Sequence, residues 1–434
     1  MQTTDQPRYD LIVIGSGPGG ATVAREMARR GERVLMLERG SAAPLKGTLG
    51  QMAGIAAVPG RGAFFNRDAS LLVQGVTAGG SSAINFATAM PPPLPMFDAV
   101  GVDLRPALSA MQTEVPMAPL PDALIGPAAV HLMRAARALG HDWRKLYKMI
   151  HPDLCRTGCW RCLYGCPYGA KWSARNFLDD AVAAGAELRC GATVRRILQR
   201  RRGTEQVAMG VEYQHQNQRH QVFAPRVVLA GGGIASPQLL RASGLMTSDA
   251  AHFSDPVVAV MGSLPGLKAG AEVPMAGGMH WDLEGIMLAD MSLPRAMYQA
   301  FAMQVGRFDR LFAHRQTLSL MVKIRDEIGG RIGPRWINKS LQAGEKRRLQ
   351  RGVEVARSIL AQAGAKRVFQ SWHFAAHPGG SVRIGEGVDH NLQSPTRHLY
   401  VCDASVIPGA WGLPPTLTLL CLGKRLADHL AGHA

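Results

Sequence analysis

The chain has 434 residues, of which 47% are hydrophobic, and its formal net charge is +17 at pH 7. This length gives room for about two or three domains with a sizeable buried core. No apolar run reaches the length of a membrane span, and the short polar N-terminus lacks the pattern of a signal peptide. We therefore expect a cytoplasmic protein, or one held at the membrane periphery through a partner.

The basic residues are scattered along the chain. Local clusters occur at residues 200–202 and 346–348, and no aromatic residues alternate with them. This distribution is typical of a solvated surface, with a bias towards acidic protein partners or anionic membrane surfaces. A nucleic-acid partner is therefore not expected.

A glycine-rich motif follows the first apolar run, residues 11–14, which is typical of a buried parallel strand. The motif is Gly15-x-Gly17-x-x-Gly20, and an amphipathic helical pattern follows it. Glycines at this spacing permit a tight turn, close approach of a pyrophosphate and packing of the helix on the strand. A second predicted strand delivers Glu38 at the spacing of an acid that binds a ribose 2′-hydroxyl. The block predicts an FAD or NAD site and disfavours NADP.

Further along the chain, residues 41–70 are rich in Ala and Gly and predict a loop. A helix is predicted over 173–184 and another over 416–430. Strands are predicted at 187–189, 193–198, 207–213 and 227–229. The Met-rich region 250–370 is expected to form a substrate domain whose methionines pack in its core.

Two more glycine blocks, Gly79-Gly80-Ser81-Ser82 and Gly231-Gly232-Gly233, suit a backbone that passes close to a flat or charged ligand. Together with the first motif and the segment Asp403-Ala404-Ser405, they resemble the glucose-methanol-choline (GMC) oxidoreductase family of FAD enzymes. The resemblance covers the N-terminal third, residues 230–244 and the C-terminal blocks, whereas residues 250–365 carry little of it. It implies that FAD is bound by Gly15, Ser16, Gly17, Gly19, Gly20, Glu38, Arg39, Gly79, Gly80, Ser81, Ser82, Asn85, Val194, Gly231, Gly232, Asp403, Ala404 and Pro415.

The implied fold class is α/β. A doubly wound, Rossmann-like FAD-binding domain would be assembled from residues 1–90, 185–250 and 380–434. A mixed α+β substrate domain would comprise residues 91–150 and 251–379, and residues 151–184 would form a Cys-rich segment and a helix.

The family's catalytic base begins a His-x-x-Gly-Thr/Ser pattern, which here starts at His377. A neutral histidine can take the hydroxyl proton of an alcohol while a hydride passes to the flavin. His373 is the reserve candidate, although its setting favours a strand that faces the core. The family also has a second His or Asn about forty residues later, where this chain has Pro414 and Pro415. Proline can neither donate a hydrogen bond nor move a proton.

That departure leaves several functions open. His377 could act alone or with a group from elsewhere in an alcohol dehydrogenase or oxidase. Alternatively, the enzyme could be a flavin-dependent C–C dehydrogenase or reductase, or the chain could be an electron-transfer flavoprotein subunit. The favoured prediction is FAD-dependent oxidation of a largely apolar alcohol.

Four of the seven cysteines lie close together, in the pattern C-x3-C-x2-C-x3-C-Pro. This pattern is close to a bacterial ferredoxin run and predicts an iron–sulfur cluster, first of all [4Fe-4S], held by Cys155, Cys159, Cys162 and Cys166. Zinc is the second interpretation and metal-free thiols or disulfides the third, and Cys190 could be a remote ligand. With a cluster, electrons would leave the flavin for a protein or quinone acceptor.

Overall fold

The structure, a computed structural model, describes residues 9–66, 68, 70–334 and 336–432. The α-helices in this part of the chain are α1 (Pro18–Arg29), α2 (Leu49–Ala56), α3 (Leu94–Asp98), α4 (Arg105–Glu114), α5 (Pro127–Ala138), α6 (Ala174–Ala183), α7 (Ala235–Ala242), α8 (Arg295–Gln304), α9 (Ala343–Gln362) and α10 (Thr416–Ala431). The strands are β1 (Leu11–Ile14), β2 (Val34–Glu38), β3 (Ala63–Phe65), β4 (Leu71–Val73), β5 (Ala118–Pro119), β6 (Arg144–Lys145), β7 (Tyr147–Lys148), β8 (Glu187–Cys190), β9 (Thr193–Arg202), β10 (Glu205–His215), β11 (Gln218–Phe223), β12 (Arg226–Leu229), β13 (Ala250–His252), β14 (Pro256–Ser263), β15 (Gly277–Trp281), β16 (Ile286–Asp290), β17 (Thr317–Ile324), β18 (Gly329–Ile332), β19 (Ile337–Asn338), β20 (Lys366–Gln370), β21 (Phe374–Ala375) and β22 (Leu399–Val401).

A five-stranded parallel sheet in the order β22-β12-β1-β2-β8 organises the part of the chain that carries the first and third glycine blocks. Its central strands are buried on both faces, which explains their continuous apolar sequences. Because the strands are parallel, the loops that follow β1, β12 and β22 meet at one edge of the sheet. This arrangement confirms the predicted α/β fold class and brings distant glycine blocks together.

The second sheet is larger and mixed, in the order β3-β4-β21-β14-β17-β16-β15-β6, with β20 also paired to β14. Helices α5 and α9 pack on one apolar cluster of this sheet, and α8 packs on another. The second cluster contains buried methionines of the Met-rich region, as expected from their adaptable shape. They are Met261, Met275, Met287, Met291 and Met321.

Residues 41–70 are not the continuous loop that the sequence predicts. They contain α2, whose N-cap Thr48 accepts a hydrogen bond from the Gln51 N–H, and strand β3. Ile55 and Ala56 of α2 are buried, so tertiary packing compensates for the helix's two glycines. Strands β3 and β4 pair into the mixed sheet, although they fall within residues 1–90. The domain boundaries themselves stay a prediction.

Across the described residues, we find no helix that is both long and apolar enough to span a membrane.

Helix α1 packs closely on α10, and Gly423 makes this approach possible. A Cβ at Gly423 would lie 2.7 Å from Thr22 Cβ and 2.8 Å from the carbonyl oxygen of Gly19. Both contacts are shorter than side chains tolerate, and one partner is backbone. Helix α10 is therefore packed directly against the glycine motif, Gly15–Gly20.

We expect Gly423→Ala to lower the free energy of unfolding by about 2 kcal/mol, because overpacking outweighs the helix propensity of alanine. Gly432→Ala is the matched control, since a Cβ there makes only ordinary contacts of 3.7 Å or more. Thermal unfolding of the two purified variants, compared with the unsubstituted protein, measures the difference. Equal melting temperatures would contradict this account of the α1–α10 contact.

Candidate active site

A cleft of about 670 Å³ opens at the carboxyl edge of the five-stranded sheet. Its walls come from the loops after β1, β2, β12 and β22, from Gly80 and Ser81, and from the segment around His377. This volume lies in the range of pockets that bind small organic cofactors. The cleft is therefore the candidate cofactor and active site.

The glycines of the first loop fall into two groups. A Cβ at Gly15 would lie 2.3 Å from the carbonyl oxygen of Ala230, and one at Gly19 would lie 2.1 Å from that of Cys402. A Cβ at Gly20 would collide with the Gly15 carbonyl oxygen at 2.4 Å. These three glycines permit backbone packing. Gly17 differs, because a Cβ there would meet no atom within 4 Å and Gly17 lines the cleft. This open position fits the close approach of an FAD pyrophosphate.

Ser16 connects the cleft-lining loops. Its hydroxyl donates to Glu38 Oε2 at 2.6 Å and accepts from the Gly79 N–H at 3.1 Å. Glu38 also accepts from the Gly40 N–H through Oε1 at 2.6 Å. One buried hydroxyl thus fixes the acidic residue and the second glycine block relative to each other.

Asp403 fixes the third glycine block. Its Oδ2 accepts from the Gly232 N–H at 2.8 Å and from the Ser236 hydroxyl at 2.6 Å. Ser381 donates to the Gly233 carbonyl oxygen at 2.6 Å, and a Cβ on Gly233 would lie 2.0 Å from the Pro378 carbonyl oxygen. The segment that bears His377 is therefore packed directly on this block.

Most of the cofactor-binding residues implied by the resemblance line this cleft, together with His377. They are Gly15, Ser16, Gly17, Gly19, Glu38, Arg39, Gly80, Ser81, Val194, Gly231, Gly232, Asp403, Ala404 and Pro415. The other four implied residues, Gly20, Gly79, Ser82 and Asn85, are not among its lining. Ser82 donates to the Gly79 carbonyl oxygen at 2.6 Å, and Asn85 donates to the Thr416 hydroxyl at 3.2 Å. These two side chains support the walls of the cleft.

His377 has a charged neighbourhood that no linear motif indicates. Its Nδ1 lies 2.6 Å from Asp255 Oδ2 and 3.3 Å from Lys323 Nζ. Asp255 and Lys323 also form an ion pair. Burial and the Lys323 charge lower the pKa of His377, whereas Asp255 opposes that shift. The imidazole is therefore neutral at pH 7, with Nδ1 engaged and Nε2 left as the nitrogen that can accept a proton.

His373 lies elsewhere. Its Nε2 is 3.5 Å from Asp68 Oδ2, it is half-buried, and it does not line the cleft. It also precedes β21 and does not lie within a core-facing strand, so the expected setting was wrong.

Asp255 and Lys323 are the functional candidates that sequence reasoning missed. Lys323 lies in β17, in which every residue is buried, and a fully buried lysine in an apolar strand is rare unless it is paired. A single charged residue within an otherwise uncharged strand was the sequence feature that could have indicated a buried ion pair. Its partner could not be named, because Asp255 comes from the loop before β14.

The four clustered cysteines, with Lys171 and Tyr168, line one small cavity. Burial raises the pKa of Cys155 to about 11, and the neighbouring cysteine charges add to the shift. As placed, no three His, Cys, Asp or Glu side chains among the described residues form a group that could hold a metal ion. The four residues are thus brought together, but the predicted iron–sulfur or zinc site is not formed by this geometry.

Comparison with known proteins gives the family. A family model described as GMC oxidoreductase matches residues 9–261, and a second one matches residues 300–423. The expectation that residues 250–365 carry little family likeness was therefore wrong, because the second match spans much of that region.

An uncharacterized GMC-type oxidoreductase of Mycobacterium tuberculosis is 27% identical over 97% of this chain and 76% of its own length. A long-chain-alcohol oxidase of Arabidopsis thaliana is 24% identical over 98% of this chain and 68% of its own length. The crystal structure of pyridoxine 4-oxidase from Mesorbium loti has the same fold, with a TM-score of 0.75, 16% identity and coverage of 98% of this chain and 100% of that one. The chain belongs to the GMC oxidoreductase family, whose members are FAD-dependent enzymes that act on CH–OH donors.

Proposed function

We propose that this enzyme oxidises a largely apolar alcohol, with His377 as the catalytic base. The observation that carries the proposal is the neutral imidazole of His377 on the wall of the cleft, with Nδ1 held by a buried carboxylate. A base whose pKa lies somewhat below the working pH is available to remove a hydroxyl proton.

Bound FAD would supply the acceptor for the hydride that leaves the substrate carbon. The chain's own contribution is to bind the cofactor, to exclude water and to take the hydroxyl proton on His377 Nε2. We assign the pyrophosphate contact to the Gly17 backbone and the ribose contact to Glu38. Val194, which lines the cleft in β9, would contact the adenine.

The apolar character of the substrate has two supports. Ala376 and Pro378, the chain neighbours of His377, line the cleft beside it, and neither offers a polar side chain. A relative is also named a long-chain-alcohol oxidase. The substrate itself is to be identified by screening primary alcohols of increasing chain length.

We further propose that Cys155, Cys159, Cys162 and Cys166 hold an iron–sulfur cluster, with zinc as the second candidate. The supports are their spacing and the single cavity that all four line. The thiols would have to close around the cluster and lose their protons, because metal ligands are thiolates. Such a cluster would supply one-electron transfer to an acceptor, and a protein or quinone acceptor and a cytoplasmic location stay predictions.

We expect Gly17→Ala to weaken FAD binding by roughly tenfold to a hundredfold, because the new methyl group would enter the space assigned to the pyrophosphate. Gly54→Ala is the matched control: a Cβ there also meets nothing within 4 Å, but Gly54 does not line the cleft. Flavin fluorescence during cofactor titration measures both affinities. Unchanged affinity in the Gly17 variant would contradict the assigned position.

We expect His377→Ala to slow alcohol-driven flavin reduction by about 10²–10⁴-fold, since general base catalysis is lost. Anaerobic stopped-flow absorbance measures this step, and His373→Ala is the control that should keep the wild-type rate. In the wild type, the rate should rise with pH through a pKa below 6.5 and be level at pH 7, because burial lowers the pKa of His377.

If only the His373→Ala variant loses alcohol-driven flavin reduction, His373 and not His377 is the base. Bleaching by saturated ketones but not by alcohols would favour the C–C dehydrogenase that Pro414 and Pro415 suggested. Reduction by a protein partner only would favour the electron-transfer subunit.

Anaerobically purified enzyme should contain about four irons per chain and show a visible absorption that dithionite bleaches. Cys162→Ser should lose this iron, whereas Cys421→Ser, in the buried part of α10, should keep it. Metal analysis and electron paramagnetic resonance are the measurements. FAD-loaded protein with one zinc would support the second candidate, and protein free of both metals would refute the metal site.

A further inference from the structure

We infer that the Asp255–Lys323 ion pair replaces the family's second polar catalytic residue and acts as the positioning partner of His377. This inference rests on the proposed role of His377 as the base. Asp255 comes from the loop before β14 and Lys323 from β17, both far from the His377 motif in sequence.

The contacts define the arrangement. Both Lys323 Nζ and His377 Nδ1 bind the same oxygen, Oδ2, of Asp255. Asp255 is 0% exposed, and the side chain of Lys323 is 2% exposed. Charged groups this deeply buried are tolerated as a pair, because each partner offsets the desolvation cost of the other. The other carboxylate oxygen, Oδ1, has no hydrogen-bond partner among the described residues, which is unusual for an ion pair that only stabilises the fold.

A second buried pair fixes Asp255 in place. The Asp255 N–H donates to Asp326 Oδ1 at 2.8 Å, and the Ser254 N–H donates to Asp326 Oδ2 at 2.8 Å. Lys339 Nζ lies 3.0 Å from Asp326 Oδ2. Asp255 itself has a φ of +62°, a left-handed conformation that aspartate tolerates better than most residues. The backbone is therefore held so that the carboxylate reaches the imidazole.

The chemical role follows from the geometry. A carboxylate that accepts from Nδ1–H selects the tautomer whose Nε2 carries a lone pair. When Nε2 takes the hydroxyl proton, the carbon-bound hydrogen leaves with its electron pair as hydride, for which bound FAD would be the acceptor, and the new imidazolium faces the Asp255 carboxylate. Lys323 moderates this stabilisation, because its positive charge lies close to the same nitrogen. Proton uptake is thus favoured without making His377 cationic at rest.

The two members of the Asp255–Lys323 pair have opposite effects on the pKa of His377. Asp255 raises that pKa and Lys323 lowers it. In the next layer, Asp326 accepts from the Asp255 N–H and pairs with Lys339, whose Nζ also donates to the backbone carbonyl oxygen of His252. Burial and the Lys339 charge lower the pKa of His252 to about 3, so its imidazole is neutral. Removal of Asp255 should therefore lower the pKa of His377, and removal of Lys323 should raise it.

The test is an NMR titration of the FAD-loaded enzyme with isotope-labelled histidines, in which the difference from His377→Gln assigns the resonance. We expect Nδ1–H to be the neutral tautomer, Asp255→Asn to lower the His377 pKa and Lys323→Met to raise it. Asparagine suits the positive φ at this position. Lys148→Met is the matched control, because it removes a buried lysine that binds the carbonyl oxygens of Phe86 and Pro274 and should leave the His377 titration unchanged.

Unshifted titrations in both variants, or a wild-type Nε2–H tautomer, would overturn the inference even if alcohols reduce the flavin. Conversely, failure of every alcohol to reduce the wild-type flavin would refute the proposed function while the titration still decides the pairing. If the single variants do not fold, Asp255→Asn/Lys323→Met leaves no unpaired buried charge. That double variant should bind FAD and reduce it at least tenfold more slowly, and a wild-type rate would count against the pairing.

Discussion

The structure depends on backbone packed directly against backbone at the carboxyl edge of one parallel sheet. Three contacts carry it: Gly15 on Ala230, Gly19 on Cys402 and Gly233 on Pro378. In each, a Cβ would lie within 2.3 Å of a carbonyl oxygen, so no other residue fits without moving a strand end. Because main chain is stiffer than side chains, the distance between the cofactor-binding loops and the His377 segment is set by rigid parts. A redox site needs this constancy, since its reacting atoms must stay aligned.

The local parts of this design could be predicted from the sequence. Strand, glycine loop, helix and acid occur within about thirty residues, and each element's conformation depends mostly on its own residues. The same holds for Ser173, the first residue of the predicted helix, which forms the N-cap of α6. Helix α2 was missed because its sequence, with Gly50 and Gly54, has weak helix propensity and is held by burial of its last residues. A short stretch of sequence does not reveal tertiary contacts of that kind.

The buried ion pair beside His377, the proposed base, shows the same limit more sharply. A linear motif identified His377 and showed that proline occupies the usual partner's place. It could not show that a carboxylate 122 positions earlier and an ammonium 54 positions earlier reach the same imidazole nitrogen. Pro415 instead is the N-cap residue of α10 and lines the cleft. The electrostatic effect of a charged partner on a base depends on their distance and burial. Residues far away in the sequence can therefore supply this effect when the local motif lacks the partner.

The Cys-rich segment is tied to the same cleft wall by a single buried cation. Lys171 Nζ donates to the carbonyl oxygen of Cys162 at 3.0 Å and to those of Ala83 and Asn85 at 2.9 Å each. Ala83 belongs to the short 3₁₀ turn, Gly80–Ile84, that begins in the cleft lining. Burial lowers the pKa of Lys171 to about 7. Hydrogen bonds to the three carbonyl oxygens partly offset the cost of burying its charged form. The Cys-rich segment and this 3₁₀ turn therefore share the Lys171 anchor, which helps to fix their separation.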